Sequence, residues 1–158
     1  MKKWCEKVPY SAIALLARIT LASIFWLSAQ TKTETFVFNF LTMSFQLGLP
    51  VPSESAFFLF QNEYNLPLLN PNIAAWITLY AEHIFAALLL LGIATRFAAL
   101  GLFGITIVIQ FFVYPEAYAL HFSWIVMQLI LIKYGSGIIA LDPFIAKRIN
   151  NRIISDLK

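Results

Sequence analysis

The sequence predicts an all-α integral membrane protein: a four-transmembrane-helix bundle with an interfacial helical segment between helices 1 and 2 and a C-terminal amphipathic helix. Three observations carry that prediction. Only 12% of the 158 residues are charged and 60% are hydrophobic, whereas soluble domains run near ~25% charged and ~45–50% apolar. Four stretches, about 8–29, 71–93, 97–114 and 121–140, approach or reach the roughly 20 residues a helix needs to cross ~30 Å of hydrocarbon. Basic residues then fall almost wholly on one side: Lys2, Lys3, Lys7, Arg96, Lys147, Arg148, Arg152 and Lys158 together, with Lys32 opposite. The positive-inside rule makes both termini cytoplasmic. Charge placed this way sets topology and implies no nucleic-acid partner; the partner it does imply is the lipid bilayer. The whole chain, 1–158, reads as one integral-membrane domain.

The first helix starts behind Lys2, Lys3 and Lys7, with Pro9 tolerated in its first turn. Arg18 interrupts the apolar run, and Leu27 fits poorly three positions before a cleavage site, so the segment reads as a retained helix rather than a signal peptide. Cys5 is the single cysteine, which excludes an intrachain disulfide or CxxC pair. Arg18 falls about ten residues from either helix end, roughly 15 Å deep, and needs a partner. Trp4 and Tyr10 mark the inner interface, and Trp26, Trp76, Trp124, Tyr114 and Tyr118 the outer one.

The outer segment, 31–70, is rich in phenylalanine. Thr35, Asn39, Thr42 and Gln46 recur at helical spacing, which predicts a helix lying in the outer interface until GLPVP at 48–52 ends it. Ser53 caps a second short helix carrying Phe57, Phe60 and Tyr64, and the segment is expected to form a lid. Asn70-Pro71 starts the second transmembrane helix. Its Glu82 lies close to the depth of Arg18, so antiparallel neighbours let the two pair, with Thr78 one turn away as a further hydrogen-bond partner. An ionisable group at that depth is costly and usually functional.

After the turn at 94–96, the third helix carries Gly101 and Gly104 for close approach, and Pro115 ends it. In the fourth helix His121, Trp124 and Gln128 share a face, with His121 expected as an interfacial side chain. Lys133 points elsewhere, within snorkelling reach of the cytoplasmic end. Asp142-Pro143 reads as the cap and first turn of a tail helix, 142–158, with an apolar stripe of Ile145, Ile149 and Ile153 beside Lys147, Arg148 and Arg152.

Several pieces occur in order that together resemble the DoxX family of small four-helix bacterial membrane proteins. They are Arg18 with RITLASIFWLSAQTK ending at Lys32, GLPVP at 48–52, AEHIFAALLLLGIATRFAAL at 81–100 and GSGIIALD at 135–142. Ala29 departs from the glycine common before the lysine. The stretch FFLFQNEYNLPLLNPN lengthens the outer segment, which resembles a subgroup marked also by Val108–Gln110, Val113–Pro115 and a histidine before tryptophan, His121 to Trp124. The resemblance implies a bacterial inner membrane location. It also implies a redox or stress-response setting, since some relatives are subunits of thiosulfate:quinone oxidoreductases and others are linked to oxidative-stress complexes.

The candidate ligand-binding residues are therefore Arg18, Glu82, His83, Gln128, Lys133 and Lys32. A quinone is the cofactor the resemblance implies; its headgroup needs hydrogen-bond donors and a proton source, which Arg18, His83 and Glu82 supply on this reading. No metal site is expected, because His83, His121, Met43, Met127 and Cys5 lie at different depths without ligand spacing. Two readings stay open: the membrane subunit of a quinone-linked oxidoreductase with a soluble or membrane partner subunit, or a non-enzymatic scaffold whose buried ion pair is structural. A homo-oligomer is compatible with either.

Overall fold

A computed structural model describes residues 8–39, 42–64, 66–67 and 69–156. Lys2, Lys3, Trp4, Cys5, Lys7, Phe40, Leu68 and Lys158, and the side chain of Ile153, lie outside the described residues. The elements in chain order are α1 (Tyr10–Gln30), the strands β1 (Val37–Asn39) and β2 (Ser44–Gln46), α2 (Glu54–Asn62), α3 (Pro71–Leu91), α4 (Thr95–Val108, continued by a π-helical turn, Ile109–Val113), α5 (Tyr118–Tyr134, after a 3-10 turn, Pro115–Ala117) and α6 (Asp142–Asp156). Four of the helical segments, Tyr10–Gln30, Pro71–Leu91, Thr95–Val113 and Pro115–Tyr134, are long and apolar enough to cross a membrane.

These four form a closed ring in which α1 packs on α3 and α5, and α4 packs on α3 and α5. The core between them is built largely of alanine and leucine, with Ala14, Ala17, Leu21, Ala22, Ala86, Leu89, Ala98, Ala99, Leu102 and Leu131 buried around Phe25. Lipid gives no hydrophobic drive between helices, so small residues that let backbones approach are what hold such a bundle together. Gly101 works this way, because a Cβ there would collide with the Phe85 ring. Gly104 does not: nothing lies within 4 Å of where its Cβ would be.

The expected caps form. The Asn70 side chain accepts from Asn72 N at 3.0 Å, with Pro71 in the first turn. Ser53 Oγ accepts from Ala56 N at 3.1 Å at the start of α2. Between α1 and α2, however, the predicted interfacial helix over Thr35 to Gln46 is replaced by a β-hairpin. Val37 pairs with Gln46, Phe38 with Phe45 and Asn39 with Ser44. The reason is a contact with α1: Gln30, at its end, donates to Phe36 O and accepts from Phe38 N at 2.7 Å, which holds that backbone extended. Trp26 packs on Phe36 and Phe38 and donates its indole N–H to Phe38 O at 3.0 Å.

The end of the bundle where α1 begins is organised by Arg18, 2% exposed. Its Nε donates to Leu89 O at 2.8 Å and Nη2 to Leu90 O at 2.9 Å. Nη1 reaches Ser136 O at 3.2 Å and Ile139 O at 2.6 Å. Leu89 and Leu90 belong to the last turn of α3, whose carbonyls have no partner within the helix and favour a nearby cation. The fourth transmembrane helix was expected to run to residue 140 but ends at Tyr134, because Gly135 and Gly137 take positive φ (82° and 72°). The freed backbone of 135–141 wraps around the guanidinium instead. Gly92, at φ 68°, closes the cage: a Cβ there would sit 2.7 Å from Arg18 Nη2 and 2.6 Å from Ala140. Asp142 starts α6 as expected, yet its carboxylate caps α4, accepting from Ala94 N at 2.7 Å and Thr95 N at 3.1 Å.

Arg18→Leu takes a donor from four carbonyls, of which Leu89 O keeps a second one, Gly92 N at 3.1 Å. It is expected to lower the unfolding free energy in detergent micelles by about 3–5 kcal/mol. Arg18→Lys, a point charge without the planar fork, should recover only part of that loss. Equilibrium denaturation of the two variants checks this, and a loss under about 1 kcal/mol for Arg18→Leu contradicts the clamp.

Candidate functional site

The pairing expected between Arg18 and Glu82 is not formed. Glu82, 1% exposed, pairs with Lys32, whose Nζ lies 2.9 Å from Oε2 and 3.2 Å from Oε1. The error lay in assuming that α1 and α3 start and end level. The first half of α3 extends past the end of α1 and packs Ala74 and Ala75 against Phe60 of α2, with Phe57, Tyr64 and Leu66 around them. Glu82 therefore comes level with Ser28 and Lys32, at the hairpin end, while Arg18 meets the other end of α3.

Ser28 completes the pair. Its Oγ donates to Glu82 Oε1 at 3.2 Å and accepts from Lys32 Nζ at 2.6 Å, and its carbonyl accepts from Nζ at 3.1 Å. It takes the place expected of Thr78. Lys32 is held there by the GLPVP strap: Ser53 N donates to Lys32 O at 2.9 Å, Glu34 N to Val51 O at 3.1 Å, and Thr33 bridges to Pro52. The salt bridge is buried, with Lys32 Nζ 2.9 Å from Glu82 Oε2. A buried pair so enclosed is stable because each charge answers the other; removing one partner strands a charge in a low-dielectric wall.

The pair forms part of the wall of a cavity of about 490 Å³, within the size range of small-molecule sites. Ile24, Phe25, Phe60, Ala74, Ile77, Ile105, Val108 and Ile109 make most of its surface apolar, and Tyr64, Tyr114, His121 and Trp124 line it as well. Gly104 leaves the wall open. It is exposed, as are its neighbours in the lining Ile77 (54%) and Val108 (40%). The cavity thus reaches the surface along α3 and α4, and Leu69, Tyr114 and Leu120 of its lining are exposed too. Tyr64 lies outside the spans; burial, with the Tyr114 phenol beside it, pushes its phenol up, so it stays a neutral hydroxyl at physiological pH.

His121 was expected at the interface, but it is 2% exposed. Its Nδ1 lies 2.8 Å from Gln110 Oε1, and Gln110 Nε2 donates to Pro115 O at 2.8 Å. The π-helical turn makes this arrangement: Tyr114 N reaches back to Ile109 O at 2.9 Å, which buries Gln110 beneath the start of α5. Such turns are frequent at functional sites.

His83 borders no part of this cavity. Its Nδ1 lies 2.9 Å from Leu79 O and its Nε2 2.9 Å from Gln30 Nε2. A carbonyl can only accept and an amide nitrogen only donate, so the ring is the Nδ1–H tautomer with both nitrogens engaged. Trp26 and Phe36 pack edge-on against it. Gln128 is buried between α4 and α5, donating to Thr106 Oγ1 at 2.8 Å, and is also off the cavity wall. Lys133 is exposed beside the Tyr134 ring at the Arg18 end, as a snorkelling anchor would be. Of the six candidates only Lys32 and Glu82 meet at the cavity. His121, Gln110 and Gly104 were missed as site residues, although Gln110, Pro115 and His121 all fall in short motifs noted in the sequence.

Fold and site together define a four-span membrane bundle with a lateral apolar cavity over a buried ion pair. The sequence profile of DoxX matches residues 13–115, well over half of the chain, and the protein belongs to the DoxX family. No curated protein and no solved structure gives a match. The matched region holds Lys32, Glu82, Gly104 and Gln110 and stops short of His121.

Lys32→Met and Glu82→Gln are each expected to destabilise by about 3 kcal/mol, and the double variant by clearly less than their sum. Arg18→Leu combined with Glu82→Gln should instead add. Denaturation of the two double-mutant cycles reads this out, and coupling between Arg18 and Glu82 larger than that between Lys32 and Glu82 contradicts the geometry.

Proposed function

We propose that this DoxX-family chain is the membrane subunit of a redox pathway and that the cavity between α3 and α4 binds a quinone or a similar amphipathic small molecule. One observation carries the proposal: the cavity is large enough for a substituted ring, reaches the surface at Gly104, and is apolar except where Lys32–Glu82 with Ser28, Thr78, His121 and the two tyrosines border it. A lipid-dissolved quinone enters such a mouth sideways. Its ring packs against Phe25 and Trp124, and its oxygens find the few polar groups of the wall. Relatives in thiosulfate:quinone oxidoreductases support that ligand class. Electrons then arrive from a partner subunit, since the one cysteine excludes a CxxC relay within the chain. Arg96 lies at the Arg18 end, where α6 with Lys147 and Arg148 also begins, and the positive-inside rule makes that end cytoplasmic.

A specific observation also favours the scaffold reading. Backbone carbonyls take four of the five N–H groups of Arg18, and Lys32 and Glu82 satisfy each other, so among the described residues each buried charge already has a structural role. Gly104→Leu separates the two readings without touching a charge. It fills the mouth and replaces an exposed helix glycine, so stability should hold or rise by up to about 1 kcal/mol. Wild type extracted into native lipid discs is expected to retain a quinone in stoichiometric amount by mass spectrometry, and Gly104→Leu to retain little. If wild type retains nothing and binds no added short-chain quinone, the scaffold reading takes its place.

A further inference from the structure

The two histidines differ in one decisive way. His83 uses both ring nitrogens on the protein, whereas His121 uses only Nδ1. The direction of that one bond is set by a chain of partners. Pro115 O can only accept, so the nitrogen of the Gln110 amide faces it at 2.8 Å. The amide oxygen is thereby turned to His121 Nδ1, 2.8 Å away, and Nδ1 must carry the hydrogen. For the uncharged ring Nε2 is then a bare acceptor. It has no partner among the described residues, and the ring lines the cavity while being 2% exposed.

From this we infer that the cavity selects a ligand that donates a hydroxyl hydrogen to His121 Nε2, so that, of a quinone couple, it holds the reduced quinol in preference to the quinone. The inference rests on the quinone reading above. A quinone carbonyl can only accept, and beside Nε2 it leaves a buried acceptor unmet. A phenolic hydroxyl donates to Nε2 and still accepts from a neighbour. Glu82 is a second acceptor on the same wall: its four lone-pair sites receive Lys32 and Ser28 and keep room for one more donor. Lys32 has no hydrogen to spare for a carbonyl, because Ser28 and Glu82 take all of them. The π-helical turn and Pro115 therefore act as a specificity device: they fix Gln110, and Gln110 fixes which nitrogen of His121 is bare.

The test is anaerobic binding to the full chain in lipid discs at about pH 8, above the ordinary histidine range. Three probes are compared: a short-chain benzoquinone, its quinol and the quinol's dimethyl ether. The quinol is expected to bind about tenfold tighter than either of the others. By the two-electron relation a tenfold preference also raises the midpoint potential of the bound couple by about 30 mV. His121→Phe should reduce the preference to less than about threefold. Equal affinity for quinol and quinone in wild type, with Gly104→Leu blocking both, overturns this inference and leaves the quinone reading standing. Failure of all three probes to bind wild type overturns both. A preference that survives in folded His121→Phe overturns the role of His121. Should that variant not fold, the three-probe series in wild type still decides.

Discussion

A carboxylate in an apolar wall needs a counter-charge held in place, and the pairing of Glu82 with Lys32 sets much of the surrounding geometry. To bring the two together, α3 must be displaced along α1 until its middle meets the end of its neighbour. That displacement pushes the first half of α3 beyond the bundle, where α2 covers it. It also leaves Lys32 just past the end of α1, so the chain after it has to be tied down. The strap at 48–53 does so by backbone hydrogen bonds to residues 32 and 34.

The same displacement explains Arg18. With α3 shifted, its last turn falls level with the guanidinium, and the exposed carbonyls there become the partners that Glu82 was expected to supply. Non-helical backbone at membrane depth survives only where protein satisfies it, and Arg18 does that for the loop after α5 as well. One cation therefore closes the Arg18 end, another the hairpin end. Between them the helices touch through alanines and leucines. Near the hairpin end, Gly104 leaves contact incomplete and the cavity remains.

The four spans were legible because length and hydropathy suffice for them, and the Asn70 and Ser53 caps because capping is local. The hairpin was not. Thr35, Asn39, Thr42 and Gln46 do fall at helical spacing, but the decisive interaction is the Gln30 side chain gripping Phe36 and Phe38, a contact between elements. The Arg18–Glu82 pairing failed for a related reason: counting residues along each helix says nothing of how far one slides past the other. Lys32 was among the candidates, but its partner depended on that slide. His121 was misjudged as interfacial because its partner, Gln110, is turned inward by a π-helical turn that periodicity does not reveal. The polar residues themselves were visible; which of them would end up satisfied by the protein, and which left facing a void, was not.

The proposed function rests on the distinction between satisfied and unsatisfied polar groups. His83, Arg18 and Gln110 are consumed by the fold, as is Lys32 at the cavity wall, whereas His121 and Glu82 on that wall retain capacity. Photoaffinity labelling tests that most directly: a benzoquinone carrying a diazirine on its ring is irradiated with the chain in lipid discs, and the adducts are mapped by peptide mass spectrometry. Adducts are predicted on cavity residues of α4 and α5, in particular Ile105, Val108 and Trp124. Labelling confined to exposed outer faces, such as Phe111 (68%) and Phe122 (55%), would contradict the account, because the quinone would then be touching the bundle only as a lipid does.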